Sequence, residues 1–231
     1  MDERLAEKRL RKTRFYCAIL QRLPFVRCII LTGSLARGKS KENSDIDLLI
    51  IAEDGRIFTA RFFCNLILIL LGQKRPKDED RPHAGKFCLN YFLTESYLII
   101  PTGRGAEIDR YCAQSYSKSI FISGDPLLFK RFIDVNTQLF NQYHPVVIPG
   151  LTRNLDSCFR RNDKRWGESL LRGKFGNWIE IKLKAFQVKK IESDPRSEKY
   201  PDLIVYSDRE LRFHPPKEVA GSEGQVARKK S

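Results

Sequence analysis

The stretch 31–50, LTGSLARGKSKENSDIDLLI, decides the fold, because it places a glycine-serine bend and a pair of acids between two apolar runs. Ahead of it, Phe25–Leu31 (FVRCIIL) is rich in Val and Ile, the pattern of a buried strand. Thr32-Gly33-Ser34 then turns the chain, and Ser34–Arg37 is predicted to open a short helix with Ser34 near its start. Lys39–Asn43 reads as a charged loop. Asp45–Ala52 is a second strand, since aliphatic residues follow the acids without a helical period. Asp45 and Asp47 are two apart on that strand, so both project from one face while Ile46 is buried behind them.

This arrangement meets two needs of phosphate chemistry. Gly33 has no Cβ to obstruct an approaching phosphate oxygen, and Ser34 offers a hydroxyl and an amide at a helix start, where anions are favoured. Asp45 and Asp47 are hard oxygen ligands on a rigid strand, which suits Mg²⁺ with triphosphate oxygens completing its shell. Arg37, Lys39 and Lys41 could neutralise phosphate charge as the loop closes; Lys39 and Lys41 read equally well as plain surface charges. Ser44 either hydrogen-bonds near the phosphates or simply serves its turn. Spacing alone is a weak signal, because Asp78-Glu79-Asp80 repeats it in a Pro-flanked charged loop. The Asp45 copy differs in opening a buried strand eleven residues after Ser34.

Working outward, residues 2–22 are predicted to form an amphipathic, basic helix, stopped near Pro24; a solvated outer face is its default reading. Arg56–Leu71 suits a crossover helix buried on most sides. Gln73–Gly85 is a surface loop, and Lys86–Thr94 a strand that Tyr97–Ile100 either extends or follows with another. Thr102–Lys118 is mostly helical, Ser119–Ser123 is short and β-prone, and Asp125-Pro126 starts a helix running to about Tyr143. His144–Trp166 has no sustained period, and a structureless loop of that length is unusual in a compact domain. Leu170, Leu171, Phe175, Trp178, Ile179, Leu183 and Phe186 then form a helical stripe, read as core, as far as Asp194-Pro195. Leu203–Tyr206 and Glu210–Phe213 form a small hairpin. The tail 216–231 is expected to be disordered.

The chain has 231 residues and a formal net charge of +14, a surplus that favours polyanionic partners such as nucleoside triphosphates or nucleic acid. Its six cysteines show no CxxC pair, which points to a reduced, cytoplasmic chain rather than a disulfide scaffold or structural zinc site. The N-terminus has no signal-peptide pattern, and the ten-residue run Phe62–Leu71 is far short of the ~20 residues needed to span a membrane.

Gly33-Ser34, Arg37-Gly38 and Ser44-Asp45-Ile46-Asp47 resemble the signature of the DNA polymerase β-like nucleotidyltransferase superfamily, particularly its small bacterial members. The resemblance implies an α/β fold: a mixed sheet flanked by helices, spanning about residues 20–120 with the N-terminal helix packed on it. A helical C-terminal region and small hairpin, 121–215, would follow. It further implies that Gly33 and Ser34 hold the triphosphate of an NTP such as ATP, and that Asp45 and Asp47 bind Mg²⁺. The implied activity is transfer of a nucleoside monophosphate to an acceptor hydroxyl, on a protein or a nucleic acid, with pyrophosphate leaving. The family places a third carboxylate on a following strand, where this chain has Asn90, a neutral residue that cannot take the nucleophile's proton. Glu95 and Asp109 are the substitutes at hand. Asn90 therefore leaves open a catalytically silent nucleotide-binding module, or an antitoxin-like module with a partner protein. The segment 147–164, VIPGLTRNLDSCFRRNDK, resembles peptides translated from dispersed palindromic repeats in bacterial genomes, which implies an insertion whose basic charge is incidental.

Overall fold

A computed structural model describes residues 3–76, 83–103, 105–143, 167–199 and 204–213. The segment 144–166, the Asp78-Glu79-Asp80 run and the tail from 214 onward lie outside the described residues. Helix α1 (Glu3–Leu20) leads into strand β1 (Val26–Thr32), the short helix α2 (Gly33–Ala36) and strand β2 (Ile46–Ala52). Helix α3 (Ile57–Leu70) crosses to strand β3 (Phe87–Thr94), followed by α4 (Ala106–Tyr116), β4 (Ile120–Gly124) and α5 (Pro126–Tyr143). A 3-10 turn (Ser169–Leu171) precedes α6 (Gly173–Glu192), α7 (Pro195–Lys199) and the strands β5 (Val205–Tyr206) and β6 (Glu210–Arg212).

The described strands form one mixed sheet in the order β4-β1-β2-β3-β6-β5. Strands β2 and β3 are parallel, which requires a crossover, and α3 supplies it; the remaining pairs are antiparallel. Because strand side chains alternate, β2 sends Ile46, Leu48 and Ile50 into a core beneath α1, α3 and α6, and Leu49 and Ile51 into a second core beneath α4 and α5. Both faces of the sheet are therefore covered, and the strands read as nearly unbroken apolar runs for that reason. The fold is the mixed α/β sheet flanked by helices that the sequence predicts.

Local departures have local causes. Gly103 and Gly105 hold φ of +83° and +119°, so α4 begins only at Ala106. Tyr97–Ile100 adds no strand beyond an isolated bridge between Thr94 and Tyr97. Asn136 of α5 takes the place of a strand partner there, accepting from the Ile100 amide at 2.7 Å and donating to the Leu98 carbonyl at 2.8 Å. Helix α3 is buried through Cys64 and Leu68, but Ile69 and Leu70 are 61% and 70% exposed, so it is not buried on most sides along its whole length. The stripe expected as core is corrected in part: Leu171 and Leu183 pack against the core, whereas Leu170, Phe175, Trp178 and Phe186 are exposed. Among the described residues, no helix is long and apolar enough to cross a membrane.

Candidate nucleotide and metal site

Gly33 occupies the junction of β1 and α2 with φ of +70°, a conformation that side chains rarely adopt. Thr32 pairs with Asp47 across the β1–β2 ladder, so the bend and the second acid are held side by side by main-chain hydrogen bonds. The approach is close: a Cβ on residue 33 would lie 2.2 Å from Asp47 Oδ2. Arg37, one turn on, donates from Nε to the Gly33 carbonyl at 3.3 Å and turns its charge toward Asp47. Ser34 is half-buried on α2 beside Gly33.

The acids stand as a pair at the start of β2. Burial, reinforced by the charge of Asp45, raises the Asp47 carboxyl to about 7, against the opposing pull of Arg75 and Arg37. Asn90 joins them: its Nδ2 donates to Asp47 Oδ1 at 3.0 Å, while its buried Oδ1 has no hydrogen-bond partner among the described residues. The register explains how it gets there. Leu48 pairs with Leu89 and Leu49 with Tyr91, so Asn90 is the extra residue of a bulge.

Sequence reasoning missed several contributors. Arg75 donates from Nη1 to Asp45 Oδ2 at 2.5 Å and hydrogen-bonds Cys88 as well. Its backbone is fastened to β3, with the Arg75 amide donating to the Phe87 carbonyl at 2.9 Å and the Phe87 amide to the Gln73 carbonyl at 2.8 Å. Cys88 pairs directly with Asp47 across the parallel ladder. Tyr111 of α4 also feels the Asp47 charge, which adds to burial in raising its hydroxyl to about 12.

The basic face of α1 is not merely solvated. Arg9 is buried and hydrogen-bonds Ser40 Oγ, the Lys41 carbonyl at 2.6 Å and the Glu42 carbonyl at 2.5 Å. Lys12 reaches the Gly85 carbonyl at 2.7 Å. Those two side chains pin the loop ahead of Asp45 and the turn at Gly85, whose amide donates to the Ser44 carbonyl at 2.8 Å. Ser44 accepts the Lys41 amide at 2.9 Å, the turn role, and Lys39 and Lys41 are exposed.

Neither substitute acid comes to the site. Glu95 follows the opposite end of β3 and pairs with Arg27 at 3.3 Å. Asp109 accepts the Gly103 amide at 3.0 Å. What the fold does gather is Asp45, Asp47 and Cys88, whose potential ligand atoms all lie within 4.8 Å of one another. The donors suit a divalent cation, since a guanidinium already sits as the positive charge between Asp45 and Cys88.

A glycine-serine bend touching the second of two acids on a buried strand is the arrangement that the sequence resemblance implies, and the comparison with known families agrees. Part of the chain matches a family model described as a nucleotidyltransferase domain. The family model of that description matches residues 15–87, which takes in the bend, both acids and Arg75 and stops one residue short of Cys88. No curated protein matches the chain. Among solved structures, one titled "Crystal structure of the toxin-antitoxin with AMP-PNP" is similar at 16% identity and a TM-score of 0.32, over 56% of this chain and 90% of that one.

Proposed function

We propose that the nucleotidyltransferase domain, taken as about residues 20–120, moves a nucleoside monophosphate from an NTP to an acceptor hydroxyl in a divalent-metal-dependent reaction, Mg²⁺ being the first candidate ion. The observation that carries this reading is the contact of Gly33 with Asp47, which sets the glycine-serine bend directly against the acid pair and tolerates nothing larger than hydrogen on the bend. Asp45 and Asp47 would hold the cation, which when bound stabilises charge on the attacking and leaving oxygens. Gly33 and Ser34 would seat the phosphates on backbone amides, with Arg37 offsetting their charge. In the transfer, the acceptor oxygen forms a bond to the α-phosphorus as the bond to the bridging oxygen breaks, its hydroxyl proton passes to solvent water, and pyrophosphate carries away the electron pair of the broken bond. Asn90 holds Asp47 in place through its amide and takes no proton. Positioning and electrostatics would therefore supply most of the rate.

The test is thermal stabilisation by each NTP with Mg²⁺, comparing wild type with the double variant Asp45→Asn, Asp47→Asn. Wild type should be stabilised and the variant should not; equal shifts in both would remove the assignment. A second reading, a nucleotide-binding module without turnover, is favoured by Asn90 standing where the family has a carboxylate. General-base catalysis is worth roughly 10²–10⁴-fold, so its loss could silence the reaction while sparing binding. Pyrophosphate release measured beside NTP binding separates the two, and co-purification with a partner protein would favour the antitoxin-like form of the second.

A further inference from the structure

The third anionic ligand that the acid pair lacks is present in another chemical form. We infer that Cys88 ligates the cation held by Asp45 and Asp47, so that the site takes a thiophilic divalent ion, of the Co²⁺, Zn²⁺ or Cd²⁺ class, more tightly than Mg²⁺. This rests on the reading that Asp45 and Asp47 hold a metal. Cys88 and Asp47 are direct partners on parallel neighbouring strands, and one ligand atom from each of Asp45, Asp47 and Cys88 falls within a 4.8 Å group. Bonds of about 2.0–2.3 Å to one ion would draw such atoms slightly closer, a motion within reach of side-chain torsions alone.

Two further observations point to a cation at that spot. The Arg75 guanidinium hydrogen-bonds both Asp45 and Cys88, so a positive charge already bridges a carboxylate and the sulfur. Asn90 is only 9% exposed, touches Asp47 through Nδ2, and leaves its Oδ1 without a partner among the described residues. Rotating that amide exchanges nitrogen for oxygen and delivers a neutral carbonyl ligand to an ion beside Asp47.

Charge and softness complete the argument. Two carboxylates and a thiolate carry the same total charge as three carboxylates, with the thiol proton passing to solvent as the ion enters. Thiolate sulfur selects thiophilic ions, whereas Mg²⁺ demands oxygen ligands and retains its water. The identity of residue 88 would thus set which ion the site prefers.

The experiment is titration of the full chain with Co²⁺, read by absorption. Wild type should develop a near-ultraviolet sulfur-to-cobalt charge-transfer band, and Asp45→Asn with Asp47→Asn should abolish it. Cys88→Ser should lose the band and bind Co²⁺ roughly tenfold or more weaker. Cys88→Asp should lose the band but gain affinity for Mg²⁺. Co²⁺ bound by wild type without a charge-transfer band overturns the role of Cys88, whatever the variants do. If that bandless binding is still lost in the Asp45 and Asp47 variant, the metal-dependent transferase reading stands alone. Co²⁺ binding indifferent to all of these substitutions removes both.

Discussion

Gly33 is the residue on which the site turns. Its positive φ and its contact with Asp47 exclude any Cβ, so Gly33→Ala should cost at least about 1 kcal/mol of stability. It should also abolish stabilisation by NTP with Mg²⁺, because the new methyl displaces the Asp47 carboxylate. Urea denaturation and NTP-dependent melting measure the two effects separately. This much is legible in the sequence, since a glycine next to serine and an alternating acid pair have meaning at the spacing observed. Arg75 and Cys88 are not legible in the same way. Arg75 lies in a charged, Pro-flanked loop and reaches Asp45 only because the chain around it bridges to Phe87. Cys88 sits inside an apolar run, where a thiol reads as one more small hydrophobe. Arg9 looks like one positive charge among many on α1, and nothing local marks it as the one that is buried.

Among elements, α3 and α6 show where periodicity misleads. The side of α6 that packs on α3 runs through Gly176, Glu180, Leu183, Gln187 and Ile191, a helical spacing in which two of the five residues are polar. A search for apolar stripes selects Phe175, Trp178 and Phe186 instead, and those lie outside. The polar members have specific partners. Glu180 accepts the Phe58 amide at 2.9 Å and the Thr59 amide at 2.8 Å, capping a helix whose own N-cap residue, Arg56, makes no capping bond. Gln187 donates to the Phe58 carbonyl at 2.8 Å. Removing the cap by Glu180→Ala should destabilise the fold by about 1–2 kcal/mol, seen as a lower urea midpoint. Glu180→Gln, which keeps an oxygen in place, should lose less. An unchanged midpoint in the alanine variant would show that α3 needs no cap from α6. The strands were more readable than the helices, because burial on both sheet faces leaves aliphatic runs that allow few other interpretations.

Across the whole molecule, a charge network at the far end of the sheet joins the helical C-terminal region to the strands. Arg27 is buried and pairs with Glu168 at 2.9 Å, with Glu95 at 3.3 Å and with Glu53, while Arg172 bridges Glu53 at 3.2 Å and Glu168 at 2.5 Å. Burial alone would raise the Glu168 carboxyl, but hydrogen bonds from Arg27, the Phe25 amide and Arg172 outweigh it and bring the value from 4.5 to about 2. A carboxyl depressed in the folded state stabilises the fold above its ordinary value, and that contribution fades as pH falls from about 4.5 toward about 2. Glu168→Gln should therefore lose on the order of 2 kcal/mol at neutral pH, a figure reduced for residual solvent screening. The gap from wild type should close through the acid window, as chemical denaturation at a series of pH values would show. A gap that stays constant with pH would mean that the pairing contributes nothing through charge.

The pairing of β6 with β3, Tyr91 with Arg212 and Leu93 with Glu210, carries a consequence for synthesis. The ribosome delivers the bend and both acids more than a hundred residues before it delivers the strand that closes the edge of β3. Until then the strand bearing Cys88 and Asn90 is half-zipped, with open hydrogen-bonding groups along one side. A nascent chain would thus hold the pieces of its site early and gain the rigidity to use them only once Glu210–Arg212 has been made.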